Sequence, residues 1–219
     1  MSTEKLRIPA PQAMRSQALA ANGAGWIEFR SGRASRKGRS GPTGRESGEC
    51  RLNTKEGKMK DDPLRDNAER LVPSANVYAI SLFIPTLDQF PWLRKVEPGQ
   101  WDFVVTIASV FMAATRLQNL KIGDVRQQEL MSIVARGLVH WDPNNGIRGF
   151  EDCKAMFERT FDGLTNDAQH EPRFIVSDSV GLWTVWNLLG RTPEAEEERK
   201  LVRTIGAHIT HTFFSWWTQ

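Results

Sequence analysis

Between Asp102 and Arg116 the chain carries no charged residue, and in Trp101–Leu120, WDFVVTIASVFMAATRLQNL, apolar side chains fall on every face of a helix. A helix that is apolar all round has to be surrounded, by lipid or by other helices. A membrane span needs roughly 20 predominantly apolar residues, and this uncharged run is well short of that. The pattern predicts a central helix in a soluble α-domain, with no transmembrane segment.

The flanking segments predict the helices that would surround it. In SANVYAISLFIPTL (Ser74–Leu87) Val77, Ile80, Ser81 and Ile84 fit a helical stripe, with Ser74 as cap and an end before Pro85. Its β-branched and aromatic content would also suit a strand, but no second convincing strand exists to pair with it. Pro85–Gly99, with three prolines, reads as an irregular connection in which Phe90, Trp92 and Leu93 plug the end of the domain. Asp124 and Gln127 resemble a capping box, and Leu130, Ile133, Val134, Gly137, Leu138 and Trp141 then mark one face. The short link predicts that this helix runs antiparallel to the central one.

After the turn Trp141–Gly149, Phe150, Cys153, Phe157, Phe161 and Leu164 line a further helix. The turn is not a calcium loop: counted from Asp142, glycine falls at the fifth place and a cysteine at the twelfth, where a glycine at the sixth and a glutamate at the twelfth are needed. A loop at Thr165–Pro172 precedes a helix that should begin near Ser177 and end before Gly190. The last helix should have Thr192 as cap, Pro193 at its first position and Glu194, Glu196, Glu197 and Glu198 at the positive end of its dipole. Leu201, Val202, Ile205, Ile209, Thr212, Phe213 and Trp216 form its apolar face. The predicted architecture is one all-α, bundle-like domain of five or six helices around Trp101–Leu120, within residues 59–219.

Composition separates residues 1–58 from this domain. They hold two of the 20 aromatics, Trp26 and Phe29, and 12 Lys and Arg against 5 Glu, whereas residues 59–219 hold 17 against 21 Asp and Glu. The basic pI therefore belongs to the first stretch. Its Gly/Ser/Arg-rich run Gly32–Gly48 cannot bury enough apolar surface to offset chain entropy, so a disordered basic tail is expected. Such a tail could neutralise nucleic-acid phosphates, or serve only solubility. Alternatively it is not translated. The codons for Lys55-Glu56-Gly57 can spell a bacterial ribosome-binding sequence just ahead of Met59, which the nucleotide sequence would decide.

Candidate chemistry is sparse. Cys50 and Cys153 make neither a disulfide framework nor a zinc site, which points to a reducing compartment, the cytoplasm. His208 and His211 stand one helical turn apart and could reach one ion. Two ligands are too few, and a third, Asp178 or His140, would have to come from elsewhere. The plainer reading is a rim histidine and a surface one. No Gly-x-Ser-x-Gly elbow or phosphate loop occurs, no cofactor is implied and no catalytic residue is assignable. At the chain end FFSWWTQ, Phe213 and Trp216 project onto the apolar face, while Phe214 and Trp217 project away from it as a candidate contact patch. The expected function is non-catalytic binding of a protein partner or self-association, as an adaptor, regulator or inhibitor would. The rivals are a helical enzyme with a His-containing, metal-dependent site and nucleic-acid binding through the tail.

Overall fold

The uncharged run forms the hub of the fold in the computed structural model, which describes residues 62–165, 171 and 174–218. These form six helices and no strand: α1 (Pro63–Gln89), α2 (Pro98–Gln118), α3 (Asp124–Trp141), α4 (Gly146–Thr165), α5 (Ile175–Leu189) and α6 (Glu196–Phe213). Short 3-10 turns follow α1 (Pro91–Lys95) and α6 (Trp216–Thr218). Every residue of α2 from Val104 to Ala114 is buried, Thr106 and Ser109 included. α1, α4, α5 and α6 pack around it. Each fully buried Ile, Val, Phe or Met here stabilises the fold by about 1.5–3 kcal/mol. The readings of residues 1–58, of Cys50 and of most of the loop Thr165–Pro172 lie outside the described residues.

α1 corrects the expectation of a short helix from Ser74 to Pro85. It runs for 27 residues from an Asp62 cap, whose carboxylate accepts the Arg65 N–H at 3.3 Å. Pro73 and Pro85 lie inside it, and both face solvent. An interior proline removes one helical hydrogen bond and costs about 3 kcal/mol. Here each orphaned carbonyl, four residues back at Glu69 and Ser81, belongs to an exposed residue that water can serve. The opposite face buries Ala68, Leu71, Val72, Ala75 and Ala79, which offsets the loss. The connection after α1 plugs the end of the domain as expected, with Phe90 and Leu93 buried.

The other helices follow their predicted faces more closely than their predicted ends. Gly123, at φ +82°, is the N-cap of α3. The Gln127 side chain, expected in a capping box, instead donates to the carbonyls of Gln118 (3.2 Å) and Leu120 (2.7 Å) and ties down the α2–α3 turn. α3 rests chiefly on α1, with Gly137 against Val72, and touches α2 only slightly. α4 buries Phe150, Cys153 and Phe157, and the Phe111 ring of α2 sits between the two phenylalanines. α5 begins two residues before Ser177, whose hydroxyl donates back to the Phe174 carbonyl.

α6 starts at Glu196 rather than at Pro193 because Glu198 caps it from inside. Its carboxylate accepts the Glu194 and Ala195 N–H groups at 2.8 and 3.1 Å and pairs with Arg191 at 2.5 Å. Ala195 has no side-chain acceptor, so only this half of a capping box exists. α5 and α6 make the tightest crossing in the domain. A methyl group on Gly181 would run into the Val202 carbonyl, and one on Gly206 into the Ser177 carbonyl. No helix among the described residues is long and apolar enough to cross a membrane.

Candidate partner-binding surface

The chain end rearranges the expected aromatic patch. α6 stops at Phe213, and the 3-10 turn that follows swings Trp217 inward. Trp217 is buried and its indole N–H donates to the Ala113 carbonyl of α2 at 2.7 Å. Trp217 is therefore a core residue and not the outward-facing contact residue expected from helical projection. That projection assumes 100° per residue, and the helix ends before it applies. Trp216 is half-buried, stacking on Phe213 and donating to the Asn67 carbonyl at 3.0 Å. Phe214 does face outward, with the Arg116 guanidinium 4.9 Å from its ring centroid.

The alternative metal set does not assemble among the described residues. His208 and His211 are exposed on α6 and His140 is exposed on α3, whereas Asp178 is buried in α5. His208, His211 and Asp178 do not come together as a metal set, and no group of three His, Cys, Asp or Glu does so among the described residues. Cys153 lies fully buried on the core side of α4. Burial first, and the neighbouring Asp152 carboxylate second, push its thiol well above the ordinary range. A thiol held protonated and out of reach is a packing group rather than a nucleophile.

A cleft of about 330 Å³, lined by both apolar and polar side chains, opens between α2, α4 and α5. Arg148, Asp152 and Asn187 line it, and Trp183 donates its indole N–H to Asp152 at 3.1 Å. Arg148 in turn donates to the Asn145 side chain at 2.7 Å. A small polar molecule could be held there by charge and hydrogen bonds. Among the described residues the lining brings together no nucleophile with a base.

Among the described residues, α1 carries a row of exposed apolar side chains. From Leu71 to Leu87 this helix carries no charged residue. One side packs inward, where Leu71, Val72, Ala75 and Ala79 meet the core and the Ala79 carbonyl accepts the Trp101 indole N–H at 2.9 Å. The other side shows Val77, Ile80 and Ile84 to solvent at 66, 53 and 60 % exposure. These are the residues whose spacing predicts a buried stripe. At about 100° per residue they lie within one third of the helix circumference, beside the exposed Pro73 and Ser81. Single exposed apolar residues such as Val125 need no explanation. Three β-branched ones in a row on one helix do, because contiguous apolar patches mark interaction sites.

No protein-family model, curated protein or solved structure matches this chain.

Charge frames the row. Arg70 precedes it and Asp88 follows it, both exposed. Their separation of 18 residues is five helical turns, so the two lie on the same side of α1, about 27 Å apart. Periodicity alone could not reveal this surface, because both faces of α1 are apolar and either could have been the buried one.

Proposed function

We propose that the protein is a non-catalytic helical module that binds a protein partner through the outward row of α1. The observation that carries this is the exposure of Val77, Ile80 and Ile84 within a stretch free of charge from Leu71 to Leu87. Stiff β-branched side chains lose little rotamer freedom when covered, which suits a docking face. A membrane surface is the weaker reading, because an interfacial helix carries Lys and Arg along its polar face, while this row is flanked by charges of both signs, Arg70 before it and Asp88 after it. Phe214 belongs at most to the rim of a contact, since Arg116 already covers its ring. A buried free thiol at Cys153 is compatible with a reducing compartment such as the cytoplasm.

The test compares the full chain with a Val77→Lys/Ile84→Lys variant, each isolated natively from the source cell after cross-linking. The natural chain should carry a stoichiometric protein, another polypeptide or a further copy of itself, and the variant should lose it while melting at the same temperature. Equal association by both would remove α1 from the interface.

A further inference from the structure

The row on α1 is bounded by charges of opposite sign, and that order names an occupant. Reading outward from the row along α1, the N-terminal side presents Arg70 and then Glu69 and Asp66, and the C-terminal side presents Asp88. All of these residues are exposed. Glu69 accepts from Arg65 on its own helix, and Arg70 reaches the Asn67 side chain. Asp88 has no ion-pair partner among the described residues.

We infer that the occupant of the row is a second copy of this chain, with the two α1 helices antiparallel across a two-fold axis near Ile80. The inference rests on the proposed docking role of the row. A two-fold contact brings a patch against itself, so the patch must be self-complementary. Antiparallel pairing sets each Arg70 beside Asp88 of the second copy, twice over. Parallel pairing would set like charge against like at both ends, so it is disfavoured. Between the ends, in this register, Val77 and Ile80 lie against Ile80 and Val77 of the second copy and Ile84 lies against its Pro73, with no charge to bury. Three half-covered side chains per copy fall well short of the roughly 800 Å² per partner of a standard interface, so the dimer is a weak one that forms with rising concentration.

Analytical ultracentrifugation of the purified full chain over a wide concentration range tests this. The natural chain should show a monomer–dimer equilibrium, and Ile80→Lys, which puts two ammonium groups at the axis, should abolish the dimer without changing the melting temperature. Arg70→Asp alone and Asp88→Arg alone should each weaken the dimer roughly tenfold, because each creates two like-charge contacts. The double swap Arg70→Asp/Asp88→Arg should restore it to within about threefold. Rescue by the double swap is the signature of antiparallel self-pairing. A monomer at every concentration, cross-links from residues 1–61 to the row within one chain, a dimer indifferent to Ile80→Lys, or a double swap that fails to rescue would each overturn the inference. The docking role is scored separately: if the chain is monomeric but Ile80→Lys releases a different co-isolated protein, the row still binds and only its occupant was misassigned.

Discussion

α1 and α2 read alike in sequence and end up in opposite circumstances. Each carries a long uncharged run, Leu71–Leu87 in one and Phe103–Thr115 in the other, with apolar residues on more than one face. α2 is enclosed by α1, α4, α5 and α6, and nothing between Val104 and Ala114 reaches solvent. α1 rests on α2 and α3, and its far side remains open at Val77, Ile80 and Ile84. The rule that an all-round apolar helix must be covered is met inside the fold for α2 and left half unmet for α1. The unmet half is where a partner would complete what the chain does not.

The most forceful way to break this comparison is to put one charge on each helix. Ile107→Lys places an ammonium at a position with no exposure, where an unpaired buried charge costs about 4–5 kcal/mol or more. That is most or all of the margin of an ordinary domain, about 5–15 kcal/mol. Urea unfolding followed by circular dichroism should show no cooperative transition. If Ile107→Lys unfolds like the natural chain, α2 is not the enclosed helix described here.

A second pair of substitutions tests how the enclosure is closed at its end. Trp217→Ala removes a buried indole and its hydrogen bond to the Ala113 carbonyl, for an expected loss of about 3–5 kcal/mol. Phe214→Ala, three residues earlier, removes an exposed ring under Arg116 and should cost about 0.5–1 kcal/mol. Equal losses, or the reverse order, would return Trp217 to the surface. Gly206→Ala probes the α5–α6 crossing, where a new methyl meets the Ser177 carbonyl. The backbones must then separate, at about 3 kcal/mol, read from the midpoint of the same urea curve.

Which of these features the sequence could show depends on what periodicity encodes. The central helix was legible because its lack of charge admits one interpretation. The faces of α4 and α6 were legible because each has a single apolar stripe, and Phe150, Cys153, Phe157, Leu201, Ile205 and Ile209 are buried as their spacing predicts. α1 was not, because it has two apolar faces and the spacing of Val77, Ile80 and Ile84 marks a face without saying which way it looks. Its length was hidden by Pro73 and Pro85, which ordinarily kink or end a helix; here both lie on the solvent side, where water can serve the freed carbonyls. Trp217 was misplaced because helical projection ran past the end of the helix. The Gly181–Gly206 crossing has no periodic signature at all, since it depends on two glycines brought together from different helices.

The polar end of α6 offers a smaller, pH-dependent effect on the enclosure. Arg191's hydrogen bonds first, and the Glu194 and Ala195 N–H groups after, outweigh burial and hold the Glu198 carboxyl at about 2, below its ordinary 4.5. A group depressed in the folded state contributes stability that is full above its unfolded value and is lost as pH falls through the folded one. The contribution should therefore decline from about pH 4.5 towards pH 2. Because Arg191 is 54 % exposed, solvent screening limits the effect to about 1 kcal/mol. Glu198→Gln should lower stability by that amount at pH 7 and flatten the acid limb of a stability–pH curve. An unchanged acid limb would mean that neither Arg191 nor the two N–H groups favour the ionised carboxylate in the folded state.

The smallest expected stability effect is the most informative about function. Val77→Lys, on the open face of α1, makes the same apolar-to-ammonium change as Ile107→Lys, but the charge stays in water and no packing is lost. Lysine is also a better helix former than valine, so the change should fall within about 0.5 kcal/mol of zero. It is measured best below the concentration at which copies associate. A stability advantage of the natural chain over the variant that grows with protein concentration is the thermodynamic mark of binding, since association stabilises the folded state by mass action. A loss of about 2 kcal/mol independent of concentration would instead mean that Val77 is packed within its own chain. The open face of α1 would then be covered by residues of the same molecule, and the contrast with α2 would disappear.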